Sequence, residues 1–244
     1  VESISKVRLK EIKALQQKKF RDEHGLFVVE GVKMVEEVMM NFPHLIECCI
    51  FTSEYEKAMQ DCEFPTFQVD RKSLEQCSSL RTPNKILAVV KQLPHHKTST
   101  NFIIALDGIQ DPGNMGTILR LADWFGIKEI ICSKETVDCY NPKVVQASMG
   151  AILRVSVNYC SLNTFLSESI LPVFGALLEG KNVYQESLKN EGVLLMGNEG
   201  NGISDDLLSY IQHPLTIPRF GKAESLNVSV ATGILLSEFW RGVK

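Results

Sequence analysis

Three stretches of this 244-residue chain place chemically capable side chains where a strand gives way to a tight turn and then a helix. The first is Asp107-Gly108-Ile109-Gln110-Asp111-Pro112-Gly113-Asn114-Met115-Gly116-Thr117-Ile118-Leu119-Arg120. A helix starting there leaves backbone N–H groups free to meet a polar ligand. At about 100° per residue, Ile118, Leu121, Ala122 and Phe125 form its buried stripe, and Arg120 lies about 200° round from Ile118, free to face a groove. Taken alone, Arg120 could equally pair with Asp123 at i, i+3, and Asn114 could simply serve the turn. The second stretch is Leu194-Leu195-Met196-Gly197-Asn198-Glu199-Gly200-Asn201-Gly202-Ile203-Ser204. Its G-x-x-G-x-G order reverses the dinucleotide fingerprint and no Walker lysine follows, so neither a Rossmann site nor a P-loop is indicated. What remains is a loop that a ligand could approach closely, with Glu199 at a strand end, or an ordinary turn. The third runs from Ile217 through Ser225-Leu226-Asn227-Val228-Ser229-Val230-Ala231. Ser225 and Asn227 stand where helix caps are expected, and either is explicable as a cap. Caps do not explain the small residues Ser229, Ala231, Thr232 and Gly233, which let another segment pack very close.

The elements needed to position these groups are legible as patterns. Apolar strands at 102–106, 129–132, 153–157, 173–178, 193–196 and 215–217 alternate with helices after Pro112, after Pro142, after a Ser204 cap and from about 225 to 240. Fully apolar strands between helices imply an α/β fold with a mostly parallel sheet covered on both faces, whose ligands sit at the C-terminal strand ends. Upstream, helical spacing at 4–20, a strand at 26–31, a helix at 32–40 and strands at 46–51, 64–69 and 86–90 describe a smaller α/β domain. The polar, proline-bearing stretch 91–101 separates the two, giving an expected division into 1–95, a linker at 96–101 and 102–244.

A net charge of −3 argues against a protein that simply coats nucleic acid. Residues 1–24 nevertheless hold seven basic and four acidic side chains, which suits contact with phosphates at one place or, more plainly, a solvated helix face. No apolar run approaches the roughly 18 residues of a membrane span, and the opening residues lack a signal-peptide pattern. Because the chain opens on Val1 instead of Met, a few residues are expected to precede it. Its seven cysteines show neither C-x-x-C pairs nor zinc-ligand spacing with histidine, so they are expected to be reduced, buried thiols of a cytoplasmic protein without a metal site.

In this order, the three stretches resemble the three motifs of the SpoU (TrmH-type) branch of the SPOUT RNA methyltransferases, with similarity running through residues 102–241. Residues 141–151 are also similar to the family's stretch between its first and second motifs. The N-terminal part, with Arg21 and Leu26-Phe27-Val28-Val29-Glu30-Gly31, resembles the small ribosomal-protein-L30-like substrate-binding domain that many SpoU enzymes carry. The resemblance implies S-adenosylmethionine as methyl donor, an RNA ribose 2'-hydroxyl as acceptor, a C-terminal trefoil knot forming the cofactor pocket, and a homodimer whose two subunits border the site. It implies that Gly197, Ile217 and Leu226 hold the cofactor and that Ala176, Leu177, Met196 and Gly202 line its pocket. Asn114, Arg120, Glu199, Ser225 and Asn227 are the implied catalytic group. A guanidinium keeps its proton throughout the ordinary pH range and is a poor base, so Arg120, oriented by Asn114, is expected to fix the target phosphate and stabilise the developing alkoxide. A sulfonium donor is already activated and calls for no metal. Arg219 and Lys222, beside the third motif, are expected to touch phosphate, with Lys10, Lys13, Lys18, Lys19 and Arg21 guiding the RNA. The accessory domain favours ribosomal over transfer RNA. The rivals are a transfer-RNA 2'-O-methyltransferase and a non-catalytic RNA-binding assembly factor of the same fold, and the intact catalytic identities argue against the latter.

Overall fold

The computed structural model describes residues 4–93 and 100–242, so the expected linker lies outside the described residues except for its last two positions. The elements in chain order are α1 (Lys6–Ala14), α2 (Lys18–His24), β1 (Leu26–Glu30), α3 (Val32–Asn41), β2 (Ile46–Phe51), β3 (Thr66–Gln68), α4 (Arg71–Cys77) and β4 (Ile86–Lys91). They continue with β5 (Phe102–Leu106), α5 (Pro112–Trp124), β6 (Glu129–Cys132), α6 (Pro142–Ser148), β7 (Ser156–Tyr159), α7 (Leu162–Glu168), β8 (Val173–Asn182), β9 (Gly192–Met196), α8 (Asp205–Leu208), β10 (His213–Thr216) and α9 (Val228–Trp240). Short polar side chains start many of the helices: Ser5, Asp70, Asp111, Asn141, Ser161 and Asn227 each accept a backbone N–H of the first turn. Proline follows the cap in α5 and α6, where its missing N–H costs nothing.

Two compact units result. Residues 4–93 together with 138–150 form the first, and 100–137 with 151–242 the second. The first carries a four-stranded sheet ordered β1-β4-β2-β3, in which β4 runs antiparallel to β1 and β2 while β2 and β3 are parallel. Ile12 and Leu15 of the N-terminal helical region pack onto Val28, Ile50 and Leu87 of this sheet. The expected helix at 4–20 is two helices, because Gln17 adopts an extended backbone between them.

Segment 138–150 is tied into this first unit by side chains that pattern reasoning did not pair. The Phe27 and Tyr140 rings lie 4.7 Å apart, and the Leu93 N–H donates to the Tyr140 hydroxyl at 2.9 Å. The Arg21 guanidinium donates to Asp138 through Nε at 3.1 Å and Nη2 at 2.6 Å, and through Nη1 to the Leu15 and Gln16 carbonyls at 2.9 Å each. Arg21 is only 2% exposed, which corrects its expected role as a guide for RNA: every nitrogen of its fork is used inside the unit. Because the pair is buried, losing one partner strands a charge. We expect Arg21→Met to lower unfolding stability by about 3 kcal/mol in urea titrations. A loss under about 1 kcal/mol would mean that Asp138 finds solvent instead.

The second unit is built on a six-stranded sheet ordered β10-β8-β9-β5-β6-β7, parallel throughout. The strands β5, β6 and β9 are buried along their whole lengths, as apolar runs interrupted only by Glu129 at the start of β6 would have it. Helices α5 and α9 pack against each other, with Gly233 facing Leu121 at ordinary van der Waals distance. The expected strand at 153–157 lies instead at Ser156–Tyr159, because Ala151–Leu153 forms a 3-10 turn. The last helix begins at Val228, not near 225. Among the described residues no helix is long and apolar enough to cross a membrane, and no group of His, Cys, Asp and Glu is placed to hold a metal ion.

Candidate active site

Two loops at the C-terminal ends of β5 and β9 are clamped together. The buried Asp107 carboxylate accepts the Ser204 N–H at 2.8 Å, and the Asn198 side-chain amide donates to the Gly108 carbonyl at 2.7 Å. The Asn198 Oδ1 accepts the Gly200 N–H at 2.8 Å, while the Asn198 and Gly202 backbones exchange hydrogen bonds of 2.9 and 2.8 Å. This closes the glycine-rich loop on itself so tightly that a Cβ at Gly197 would lie 2.2 Å from the Gly202 carbonyl carbon. Gly202 itself holds φ +72°, a left-handed conformation that suits glycine. We expect Gly197→Ala to force this loop open, costing about 1–3 kcal/mol of stability and weakening ligand binding more than a surface change would. Thermal unfolding of the variant checks the first part and calorimetric titration the second.

The clamp brings the three motif stretches together at Asn114. Asp111 caps α5 by accepting the Asn114 N–H at 2.8 Å, which places the Asn114 side chain on the first turn. Its Nδ2 donates to Glu199 Oε1 at 2.5 Å, and its Oδ1 accepts from Asn227 Nδ2 at 2.9 Å. The Ser229 hydroxyl lies 3.3 Å from the same oxygen. Asn227 also caps α9, its Oδ1 accepting the Ser229 and Val230 N–H groups at 3.0 and 3.3 Å. Three expected residues, Asn114, Glu199 and Asn227, thus share one hydrogen-bonded group with Ser229.

Two expected members do not join it. Ser225 stands in the exposed loop before α9 and makes no hydrogen bond among the described residues. Arg120 is exposed and likewise unpaired among the described residues; Asp123 ion-pairs with Arg154 at 2.8 Å. Six residues along α5, Arg120 points about 120° away from Asn114, whose amide is already engaged, so Asn114 does not orient Arg120 within one chain.

The residues expected to hold a cofactor lie along the adjacent strand ends. Gly175 of β8 pairs with Leu195 of β9 as the last rung of that ladder, so Ala176 and Leu177 leave it at the same end of the sheet as Met196 and Gly197. On its other side, β8 pairs through Gly175 with Pro214 of β10, then resumes at Lys181 with Leu215, so residues 176–180 leave this ladder. Gly180 permits the return, since a Cβ there would lie 2.8 Å from the Pro214 carbonyl oxygen. Ile217 follows β10 directly, and Leu226, 48% exposed, stands in the loop that leads to α9. Half-buried Ala176 and Leu177, at the sheet edge that also carries the Gly197 backbone, fit a cofactor with both an apolar and a hydrogen-bonding face.

Of the cations expected to meet RNA, Lys10, Lys13, Lys18 and Lys19 are exposed, Lys18 being paired with Asp22 at 2.6 Å. Arg219 and Lys222 are exposed in the loop after β10, with Arg219 donating to the Ala223 carbonyl at 3.2 Å. Burial pushes the thiols of Cys48, Cys49 and Cys77 up, Cys77 to about 11, which suits packing and not nucleophilic chemistry.

Sequence reasoning missed Asp107, Asn198 and Ser229. The last is legible as the second helical residue after an asparagine cap, where a hydroxyl returns to the cap side chain, although its small size alone explains its place in the sequence.

The description "SpoU rRNA Methylase family" matches residues 101–237, and "MRM3-like substrate binding domain" matches residues 6–88. The chain is 30% identical to the 23S rRNA (guanosine(2553)-2'-O)-methyltransferase RlmP of Bacillus subtilis over 97% of both chains. A TrmH-family structure from Porphyromonas gingivalis superposes with a TM-score of 0.88 at 33% identity, covering 98% of this chain and 99% of that one. The AdoMet-bound rRNA methyltransferase of Sinorhizobium meliloti gives 0.86 at 29% identity, covering 100% and 98%. With its family match spanning more than half the chain, and with a full-length relative of this similarity, the protein belongs to the SpoU rRNA methylase family.

Proposed function

We propose that the chain is an S-adenosylmethionine-dependent methyltransferase acting on a ribose 2'-hydroxyl of ribosomal RNA. The observation that carries this reading is the Asn114 group, in which residues of all three motif stretches meet at the C-terminal edge of a parallel sheet. Gly197, Ile217 and Leu226 would hold the cofactor, with Ala176, Leu177, Met196 and Gly202 around them. When bound, it supplies a methyl group already activated on a sulfonium. The chain's own residues then need only align the 2'-oxygen with that carbon and share the hydroxyl proton. Glu199, held through one oxygen by Asn114, keeps its second oxygen for substrate or for the loop bearing Ser225. Arg120 binds the target phosphate and stabilises the developing alkoxide, as a fixed cation does best.

Arg120 points away from the Asn114 of its own chain, and this favours a homodimer in which the partner's Arg120 completes each site. Trp124, 84% exposed one turn beyond Arg120, and Val230, 51% exposed on α9, offer apolar surface for such a contact. The finer assignments belong to the same proposal: an L30-like RNA-binding domain at 1–95, a linker at 96–101, and a knotted catalytic domain at 102–244 in a cytoplasmic protein. The names of the Bacillus and Sinorhizobium relatives support ribosomal over transfer RNA.

Calorimetric titration with S-adenosylmethionine, followed by transfer of labelled methyl to purified RNA, tests the reading. Binding with label in ribosomal RNA is expected. Label in transfer RNA would reassign the substrate, and RNA binding without cofactor binding would make the chain a non-catalytic factor.

A further inference from the structure

Asn114 is a group with a direction. Its Oδ1 faces two donors, Asn227 Nδ2 and the Ser229 hydroxyl, and its Nδ2 faces the Glu199 carboxylate. Flipping the amide would set N–H against N–H on one side and oxygen against carboxylate on the other. Only one orientation is therefore compatible with its surroundings. The Asn227 side chain passes that orientation on, since its own rotation is set by what its Oδ1 receives. That oxygen accepts two backbone N–H groups at 3.0 and 3.3 Å. The Ser229 Oγ lies 2.6 Å from it and 3.3 Å from Asn114 Oδ1, so its one proton is shared across the two amides. Ser229 is buried at 7% exposure on the first turn of α9, where its rotation is restricted by packing.

We infer that Ser229 is a positioning residue for methyl transfer: its hydroxyl, lying between the Asn227 and Asn114 amide oxygens, holds the two amides in place as the pair that presents an N–H to Glu199. The inference rests on reading this group as the methyltransferase centre. Donors at one end and a carboxylate at the other polarise the chain of hydrogen bonds in one sense, so each link strengthens the next. Losing the hydroxyl leaves each orientation set by its remaining partners but unties the two amides from the first turn of α9, so the Asn114 N–H meets Glu199 in a less closely held geometry. The effect falls on the reacting geometry and not on the affinity for either substrate.

Ser229→Ala and Ser229→Cys remove the strong donor, Cys while keeping nearly the same shape, and Ser229→Thr retains it. For Ala and Cys we expect kcat to fall about tenfold, the size of one neutral hydrogen bond, with KM for both substrates within about twofold. Thr should recover most of the rate. Ser229→Ala should cost little in an Asn114→Ala background, because the group it positions is gone. Wild-type kcat in the Cys variant, or losses that multiply in the double variant, would overturn the inference. If the wild type transfers no methyl at all, the methyltransferase reading fails and the geometry can still be judged by NMR. The Asn114 side-chain amide protons should shift in the Ala and Cys variants and return with Thr, and unmoved resonances would reject the lock itself.

Discussion

In an Asn114→Asp variant we expect methyl transfer to fall by at least about a hundredfold, since a positioning group is replaced by one that repels its partner. The substitution is nearly isosteric and keeps an acceptor for Asn227 and Ser229, but it sets a second carboxylate 2.5 Å from Glu199 where an N–H stood. Two carboxylates at that distance cannot both ionise without cost, so the pair in the folded protein holds a proton to higher pH than it does unfolded. The sign follows from linkage. The variant should be destabilised relative to wild type at neutral and alkaline pH and should recover as pH falls through the raised pKa. Asn114→Ala loses activity as well but lacks this second carboxylate, so its stability deficit should not vary with pH in that way. Urea midpoints of the three proteins measured from acid to alkaline pH separate the cases, and a pH-independent deficit in Asn114→Asp would mean that Glu199 does not face position 114.

Mixing two inactive variants should restore activity. If the partner's Arg120 completes each site, Arg120→Ala and Glu199→Ala carry their defects on opposite sides of a shared site. In a mixed dimer one site then receives both lesions and the other receives neither. Random exchange of equal amounts makes half the dimers mixed, so about a quarter of wild-type activity should return. Each variant alone should stay at least about a hundredfold below wild type. If Arg120 served its own chain, both sites of every mixed dimer would be broken and nothing would return. The structure makes the first outcome the expected one, because Arg120 projects from the open side of α5 while Asn114 faces α9.

Much of the architecture was readable because it rests on local patterns. The runs at 102–106 and 129–132, apolar except for Glu129, are buried on both faces of a parallel sheet, and a strand fits their length and flanking turns. Asp111-Pro112 and Asn141-Pro142 announce helix starts by cap and proline together. Where the pattern failed, tertiary context decided. Helix α7 went unpredicted because Leu162–Glu168 is too short to show a period. The start of α9 was placed near 225 because Ser225 and Asn227 are both acceptable caps, and only the packing of Asn227 against Asn114 chooses between them.

The site was legible in its identities more than in its geometry. Asn114, Glu199 and Asn227 lie far apart in the chain, and no spacing rule joins them; the family resemblance did. That resemblance carried Arg21 as part of an RNA-binding surface, whereas its partner Asp138 lies in a segment that local patterns assign to the other domain. It also placed Arg120 beside Asn114, a relation that a single chain does not provide. Ser229 was passed over because a hydroxyl on a helix's first turn has an ordinary local use.

The central claim, methylation of a ribose hydroxyl in ribosomal RNA, is tested most directly by where a transferred label resides. Purified ribosomal RNA is incubated with the protein and methyl-labelled S-adenosylmethionine, then hydrolysed in alkali, which cleaves only beside a free 2'-hydroxyl. The label should appear in alkali-resistant dinucleotides and should be lost with Asn114→Ala. Label released in mononucleotides would place the methyl on a base and contradict the claim, as would a cofactor-binding protein that transfers nothing to this RNA.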